Sequence, residues 1–435
     1  MQKRSLDQWL ALLETRHPRE IELGLSRIAD VAGRLQLPAP APWVVSVAGT
    51  NGKGSFVRVL EALSRASGWR TGVYTSPHIS VYNERIRIDG AEVGDTDLVD
   101  AFERIEAARG DTSLTYFETG TLAALLLMAE ADLDVAVLEV GLGGRLDAVN
   151  LVDADLAVIT AIDVDHSQWL GQDREAIALE KAGIVRPGGR VVCADPNPPA
   201  SLLDRLGELD ATSNRLGEDF GYEIKAGGGD NPASIDVWLC DPRGQPLALA
   251  GLPGPDLPVE SAVAALQAAL ILGALPPAAV VADIFARVSL AGRFQRLVVA
   301  GRRLVLDVAH NPAAAAYLAK RLAAEEGRVV AVAALMADKD RAGFVTALSS
   351  AIDHWYLGEL ADNPRACPAG ELAAMIYNAG GSVSTCATVA EALSRALEES
   401  RPDDLVVVCG SFHTVGAAIA TMEASTEARK EILSP

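Results

Sequence analysis

Three short strings carry residues able to handle a phosphorylated nucleotide and its metal. Gly49-Thr50-Asn51-Gly52-Lys53-Gly54-Ser55 lies between the apolar run Trp43–Ala48 and a helical pattern from about Ser55 to Ser67. Glycines there let backbone N–H groups turn toward an anion, the helix N-terminus adds positive potential, and Lys53 can reach terminal phosphates. The strict GxxxxGK[ST] pattern is not met, because Val47 holds the first glycine position and Gly54 the hydroxyl position. A glycine-rich turn with a solvated lysine is the alternative; the buried strand before it and the helix after it weigh against that. Glu139 sits at the end of the apolar run Val135–Val140. A charge at that depth is costly unless it is paired or bound to a metal. The alternative is a carboxylate satisfied by backbone donors of the glycine turn that follows. Asp163-Val164-Asp165-His166 follows the run Leu156–Ala161. His166 there suits a neutral imidazole ligand to a second metal ion, although a lone loop histidine is usually plain polar surface.

Other strings read more weakly by themselves. Thr75-Ser76-Pro77-His78 follows a short strand, Val73–Thr75, at the end where ligands gather in such sheets. A serine hydroxyl there can ligate Mg²⁺, yet the tetrapeptide alone is more often a proline turn. Lys181, in Glu180-Lys181-Ala182-Gly183-Ile184-Val185, reads as a helix-end charge before a C-terminal glycine. The aromatic pair in Leu114-Thr115-Tyr116-Phe117-Glu118-Thr119 reads first as core packing. Arg293, in Gly292-Arg293-Phe294-Gln295, lies at a hinge.

These strings need strands and helices to position them. Apolar runs at 43–48, 135–140 and 156–161, separated by helices such as Thr121–Ala131, predict a parallel sheet covered on both faces. The stretch from Cys193 to Pro258, with Pro196, Pro198, Pro199 and Gly227-Gly228-Gly229, predicts irregular structure and small antiparallel strands. A helix from Glu260 to Leu272 returns to the core. After the hinge Leu290–Phe294 the βα pattern restarts, with strands Leu304–Val308, Val329–Ala334, His354–Leu357, Val383–Thr385 and Leu405–Cys409. Helices Ala313–Glu326 and Val389–Glu399 lie among them. The expected fold is α/β: residues 1–290 form a P-loop-type ATPase domain and 291–435 a smaller Rossmann-like domain.

Composition narrows the class. The chain has 435 residues, 49% hydrophobic and 22% charged, with a formal net charge of -20. That balance suits a soluble protein of two or three domains and disfavours nucleic acid as the partner. Five scattered cysteines without CxxC spacing point to a reducing compartment. The N-terminal residues lack the apolar core of a signal peptide, and runs such as Val263–Leu275 are too short to span a bilayer. A cytoplasmic protein is expected.

Taken in order, these motifs resemble the Mur ligase superfamily. Ala48–Ser55 looks like its ATP loop, and within the superfamily the chain is most similar to the folylpolyglutamate synthases and their bifunctional bacterial forms. The resemblance covers nearly the whole chain. It implies that Gly49, Thr50, Asn51, Gly52, Lys53, Gly54 and Ser55 bind ATP, with Arg293 on the phosphates. Asp307, in Asp307-Val308-Ala309-His310-Asn311-Pro312, would lie near the adenosine. It implies Mg²⁺, two ions in all, held by Ser76, Glu139 and His166. Lys181 would carry a carbamate from CO₂ and so present oxygen ligands to metal; with Lys53 and His166 it makes the catalytic set. The pterin site would draw on Thr15, Arg16, His17 and Pro18, on Thr115, Tyr116, Phe117 and Glu118, and on Leu146, Asp147 and Ala148. Val149 stands where the family usually has Thr. The family's adenine-contacting Asn is missing from Leu257-Pro258-Val259-Glu260-Ser261-Ala262.

The implied reaction is ATP-dependent amide formation. L-Glutamate would be joined to 7,8-dihydropteroate, and to the γ-carboxylate of reduced folates, through an acyl phosphate by a monomeric enzyme. Two other readings differ in class. A cell-wall Mur ligase would need a UDP-binding domain ahead of the loop, where only 48 residues precede Gly49. A nucleotide switch would not need a second βα domain carrying polar strand ends.

Overall fold

The computed structural model describes residues 4–19, 21–225, 233–361 and 363–424. The Gly227-Gly228-Gly229 string lies outside them. The chain divides into two compact units, Met1–Val288 and Ser289–Pro435.

The first unit is built on an eight-stranded sheet. In chain order its strands are β1 (Trp43–Ala48), β2 (Thr71–Tyr74), β3 (Ile86–Ile88), β4 (Ala91–Glu92), β5 (Val135–Glu139), β6 (Leu156–Ile159), β7 (Arg190–Cys193) and β8 (Thr212–Arg215). Their spatial order is β4-β3-β2-β5-β1-β6-β7-β8. The six strands from β2 through β8 pair in parallel, while β3 and β4 form an antiparallel margin. Consecutive residues of β5 and β6 are all buried, so both faces of the sheet are covered. That is why these strands read as unbroken apolar runs rather than alternating ones. Helix Lys53–Ala66 packs on β1, β2 and β5, and helix Val259–Leu272 packs against that helix.

The stretch expected to be irregular holds more regular structure than its composition suggests. Strands β7 and β8 extend the parallel sheet, joined by helix Ala200–Glu208. Only then come three antiparallel strands, β9 (Gly221–Lys225), β10 (Ser234–Cys240) and β11 (Pro246–Pro253), in a sheet of their own. Helix Thr121–Ala131 of the sequence reading begins earlier, at Tyr116. Thr115 caps it: its hydroxyl accepts from Glu118 N at 3.1 Å, while the Glu118 carboxylate accepts from Thr115 N at 2.8 Å.

The second unit holds a six-stranded sheet: β12 (Gln295–Val299), β13 (Arg302–Leu306), β14 (Val329–Ala333), β15 (His354–Gly358), β16 (Val383–Cys386) and β17 (Leu405–Cys409). The order is β12-β13-β17-β14-β15-β16, parallel except for β12. Strand β12 falls where the sequence suggested a hinge running into the next strand. Among the described residues, no helix is long and apolar enough to cross a membrane.

Candidate active site

In the first unit the reactive strings leave the C-terminal ends of neighbouring parallel strands. Residues 49–55 follow β1, Ser76 follows β2, Glu139 closes β5, and Thr160–His166 follows β6. Strand order alone thus brings four separate segments to one edge, the position where open α/β sheets bind ligands.

The loop after β1 has the form of an anion cradle. Gly52 caps helix Lys53–Ala66 with φ of 89°, a left-handed conformation that favours glycine, and no side chain caps the first turn. A β-carbon at Gly52 would lie 2.5 Å from Ser261 Oγ, and one at Gly49 would run into the Thr160 hydroxyl. Thr160 Oγ1 donates to the Asn51 carbonyl at 2.8 Å. Thr50 N donates to Ala161 O at 2.7 Å, and the Thr50 hydroxyl donates to Asp163 O at 2.8 Å while accepting from Asp163 N at 2.9 Å. The loop is thereby fixed to the strand beside it. Lys53 Nζ donates to the Gly49 and Thr50 carbonyls at 3.0 and 3.4 Å, so the ammonium lies over the loop. Ser55 is buried on the first turn.

Glu139 is 5% exposed, and its Oε2 accepts from Ser76 N at 3.2 Å. The two predicted oxygen donors are therefore neighbours across β2 and β5. His166 takes a left-handed backbone, φ 52°, and its N–H donates to Asp165 Oδ1 at 2.8 Å. Among the described residues no three His, Cys, Asp or Glu side chains already converge as a metal cage. A buried carboxylate at a strand end, with a serine beside it, still fits a hard cation that brings phosphate oxygens and water of its own.

Lys181 is 2% exposed on the last turn of helix Arg174–Ala182. Burial, then the nearby Lys53 charge, lowers its amine from 10.5 to about 7, against the pull of Asp165 and Asp147. Asp147 accepts from Leu142 N and Val149 N at 2.9 and 3.0 Å. Burial raises its carboxyl to about 6, while those N–H groups and Lys53 pull it down. Lys53, Lys181, Asp147 and Asp165 are thus close enough to feel one another's charge. Arg145 N donates to Glu180 O at 2.8 Å, docking the glycine turn on the helix that carries Lys181.

The residues expected at a pterin site divide. Leu146 is tied to the N-terminal loop, its carbonyl accepting from Gly24 N at 3.1 Å. Arg27 bridges Glu22 of that loop to Glu118, at 3.1 Å from the latter. His17 Nε2 lies 3.9 Å from Glu22. Phe117 packs against Tyr74, and Tyr116 meets Tyr82 edge-on. Ala148 begins a short 3₁₀ turn that Asp147 caps. Thr115 and Glu118 also serve as the helix cap. Thr15 bonds back to its own helix, and Arg16 pairs with Glu106 at 2.7 Å and lies over Trp9; Pro18 follows in the same turn. Sequence reading missed Tyr82, Arg85 and Arg27, which join this group only through long-range contacts.

In the second unit the turn Gly292–Gln295 docks on the end of β13. Asp307 accepts from Phe294 N at 2.9 Å and Ala309 N at 2.8 Å. Burial raises its pKa, opposed first by Arg293. The Arg293 guanidinium lies 5.3 Å from the Phe412 ring centre, and His310 Nδ1 is 2.8 Å from the Val308 carbonyl. Residues 292–294, 307–311 and 410–413 therefore gather at the C-terminal edge of the second sheet.

Comparison with known proteins agrees with this plan. The Mur ligase middle domain matches residues 47–198, and the Mur ligase glutamate ligase domain matches residues 292–412. The dihydrofolate synthase/folylpolyglutamate synthase of Escherichia coli (strain K12) is 43% identical over 421 residues, 96% of each chain. The structure of E. coli FolC in complex with DHPP and ADP superimposes with a TM-score of 0.89 at 42% identity, covering 97% of this chain and 98% of that one. The bifunctional folylpolyglutamate synthase/dihydrofolate synthase of Yersinia pestis, complexed with AMPPNP and Mn ion, gives 0.86 at 43% identity over the same shares. The chain belongs to the dihydrofolate synthase/folylpolyglutamate synthase family of Mur ligases.

Proposed function

We propose that the protein joins L-glutamate to 7,8-dihydropteroate, and to the γ-carboxylate of reduced folates, at the expense of ATP. The observation that carries this reading is the convergence, at one sheet edge, of an uncapped glycine-lined helix start, Lys53, the Ser76–Glu139 pair and the buried Lys181.

ATP sits with its phosphates on residues 49–55, where N–H groups of the first helical turn and Lys53 offset their charge. The substrate carboxylate attacks the γ-phosphorus, the bond to the β,γ-bridging oxygen breaks, and ADP leaves. Lys53 stabilises the charge spread over the transferring phosphoryl. The amine of glutamate then attacks the acyl carbon, and inorganic phosphate departs with the C–O electron pair, leaving an amide. Glu139, Ser76 and His166 would hold Mg²⁺, which when bound neutralises phosphate charge. Lys181, its amine lowered to a pKa of about 7, takes up CO₂ through its free-base form as a carbamate and adds oxygen donors to that set. Arg293 and Asp307 are assigned to the ATP phosphates and the adenosine. Leu146, Asp147, Ala148 and the 115–118 stretch are assigned to the pterin. A monomeric cytoplasmic enzyme acting on small molecules fits the five free cysteines and the net charge of -20.

Mass spectrometry after incubation with ATP, Mg²⁺, glutamate and each acceptor tests this. The expected product is one glutamyl residue heavier than the acceptor, formed in step with ADP. ADP release that ignores both acceptor and glutamate would sink the reading.

A further inference from the structure

Arg85 is a cation in an unusual position. It ends the 3₁₀ turn Tyr82–Arg85, just before β3, and is 8% exposed. Its Nε donates to His78 Nδ1 at 2.8 Å, which keeps that nitrogen deprotonated. The guanidinium carbon lies 5.2 Å from the Tyr82 ring centre and 5.5 Å from that of Tyr116. Among the described residues no carboxylate pairs with it. Its neighbours behave differently: Arg87 meets Glu61 at 3.2 Å, Arg58 meets Glu61 at 2.9 Å, and Arg27 meets Glu118 at 3.1 Å.

A guanidinium more than nine-tenths buried, with a neutral histidine as its hydrogen-bond acceptor, lacks the anion that usually offsets such burial. Its surroundings indicate which anion would supply that charge. Thr75 N donates to Arg85 O at 2.8 Å, so Arg85 stands beside the residue preceding Ser76 and hence near Glu139. Tyr82 and Tyr116 set aromatic rings against the guanidinium, Tyr82 buried and Tyr116 half-buried. Phosphates already have the glycine cradle and Lys53.

We infer that Arg85 binds the carboxylate of the acceptor substrate, an aryl carboxylate in the case of dihydropteroate, and holds it for attack on ATP. The guanidinium fork suits two carboxylate oxygens, and the half-buried Tyr116 ring suits the arene that bears them. This inference rests on the proposed function.

The test compares 7,8-dihydropteroate with its carboxamide, which keeps the rings and loses the charge. Binding to the full chain is measured by titration calorimetry for wild type, Arg85→Gln and Arg85→Lys. Arg85→Gln should weaken dihydropteroate roughly ten- to hundredfold, the size of a lost charged hydrogen bond, and leave carboxamide affinity nearly unchanged. Arg85→Lys, which keeps charge without the fork, should fall between, with KM for ATP unaltered. Equal loss for both ligands would overturn the inference in favour of a clamp on His78 and the tyrosines. No loss for either, or a rise confined to KM for ATP, would overturn it as well. Should circular dichroism find the Gln variant unfolded, the same acid-against-amide difference is read from the Lys variant. A wild-type chain that binds neither ligand overturns the proposed function along with the inference.

Discussion

Replacing Lys181 by Ala separates the chemistry of a buried amine from its packing. The side chain is 2% exposed, and burial with the Lys53 charge holds the amine near a pKa of about 7. At pH 8 such an amine is about 90% free base, against about 0.3% for a lysine at the ordinary value, a gain of roughly 300-fold in the form that reacts with CO₂. The carbamate puts an anion where the free amine was, within reach of the Lys53 charge. Lys181→Ala should therefore lower kcat by about 10²–10³-fold, the range for losing one preorganised electrostatic contact. Acetate should restore part of it. The assay is coupled ADP release, with a ¹³C NMR carbamate signal from labelled bicarbonate as direct evidence. Activity should fall as pH drops below about 7, because protonation then competes with CO₂. The sign for stability agrees: the folded pKa lies below the unfolded one, so the unmodified chain gains stability as pH rises from about 7 toward 10.5. No carbamate signal at pH 8 in excess bicarbonate, together with full activity of the Ala variant, would refute the reasoning.

Gly52→Ala should raise KM for ATP and cost about 1–2 kcal/mol from the left-handed backbone, with a further penalty from Ser261 Oγ at 2.5 Å. Thermal melts check the stability, and an unchanged melting temperature would contradict the strain argument. Asp147 has a folded pKa of about 6, above its unfolded 3.8, so its contribution to stability is present below about pH 4 and lost as pH rises through about 6. Urea titrations of wild type and Asp147→Asn should show the wild type losing ground to the variant across that window. A pH-independent difference would count against a raised carboxyl.

Segments buried on both faces were legible from the chain because unbroken apolar runs have few other uses. Trp43–Ala48 and Leu405–Cys409 form strands with the expected bounds, and the helix expected from Glu260 begins at Val259. Strand β8, Thr-Ser-Asn-Arg, escaped because it is a half-exposed edge strand whose residues carry no apolar signal. Strand β12 escaped because its neighbour, the Gly292–Gln295 turn, reads as an interruption. At the site, Lys53, Ser76, Glu139 and His166 stood out since each lies at the end of an apolar run or in the loop that follows one. Arg85 and Tyr82 did not: they meet Tyr116 only when β3 folds back on β2, a pairing no short spacing encodes. The buried state of Lys181 was hidden for a similar reason. A lysine before Ala-Gly looks like a solvated helix end until the glycine turn 141–144 closes over it.

The margins of the large sheet bear on behaviour at high concentration. One margin is Ala91–Glu92, two residues long and exposed; the other is Thr212–Arg215, polar throughout. The Arg215 N–H is already taken by Asp219 at 2.8 Å, and its guanidinium is paired with Glu218. A neighbouring molecule seeking to add a strand would find too little unoccupied backbone for a lasting ladder. Crowded solutions of the folded chain should therefore resist fibre growth through this sheet.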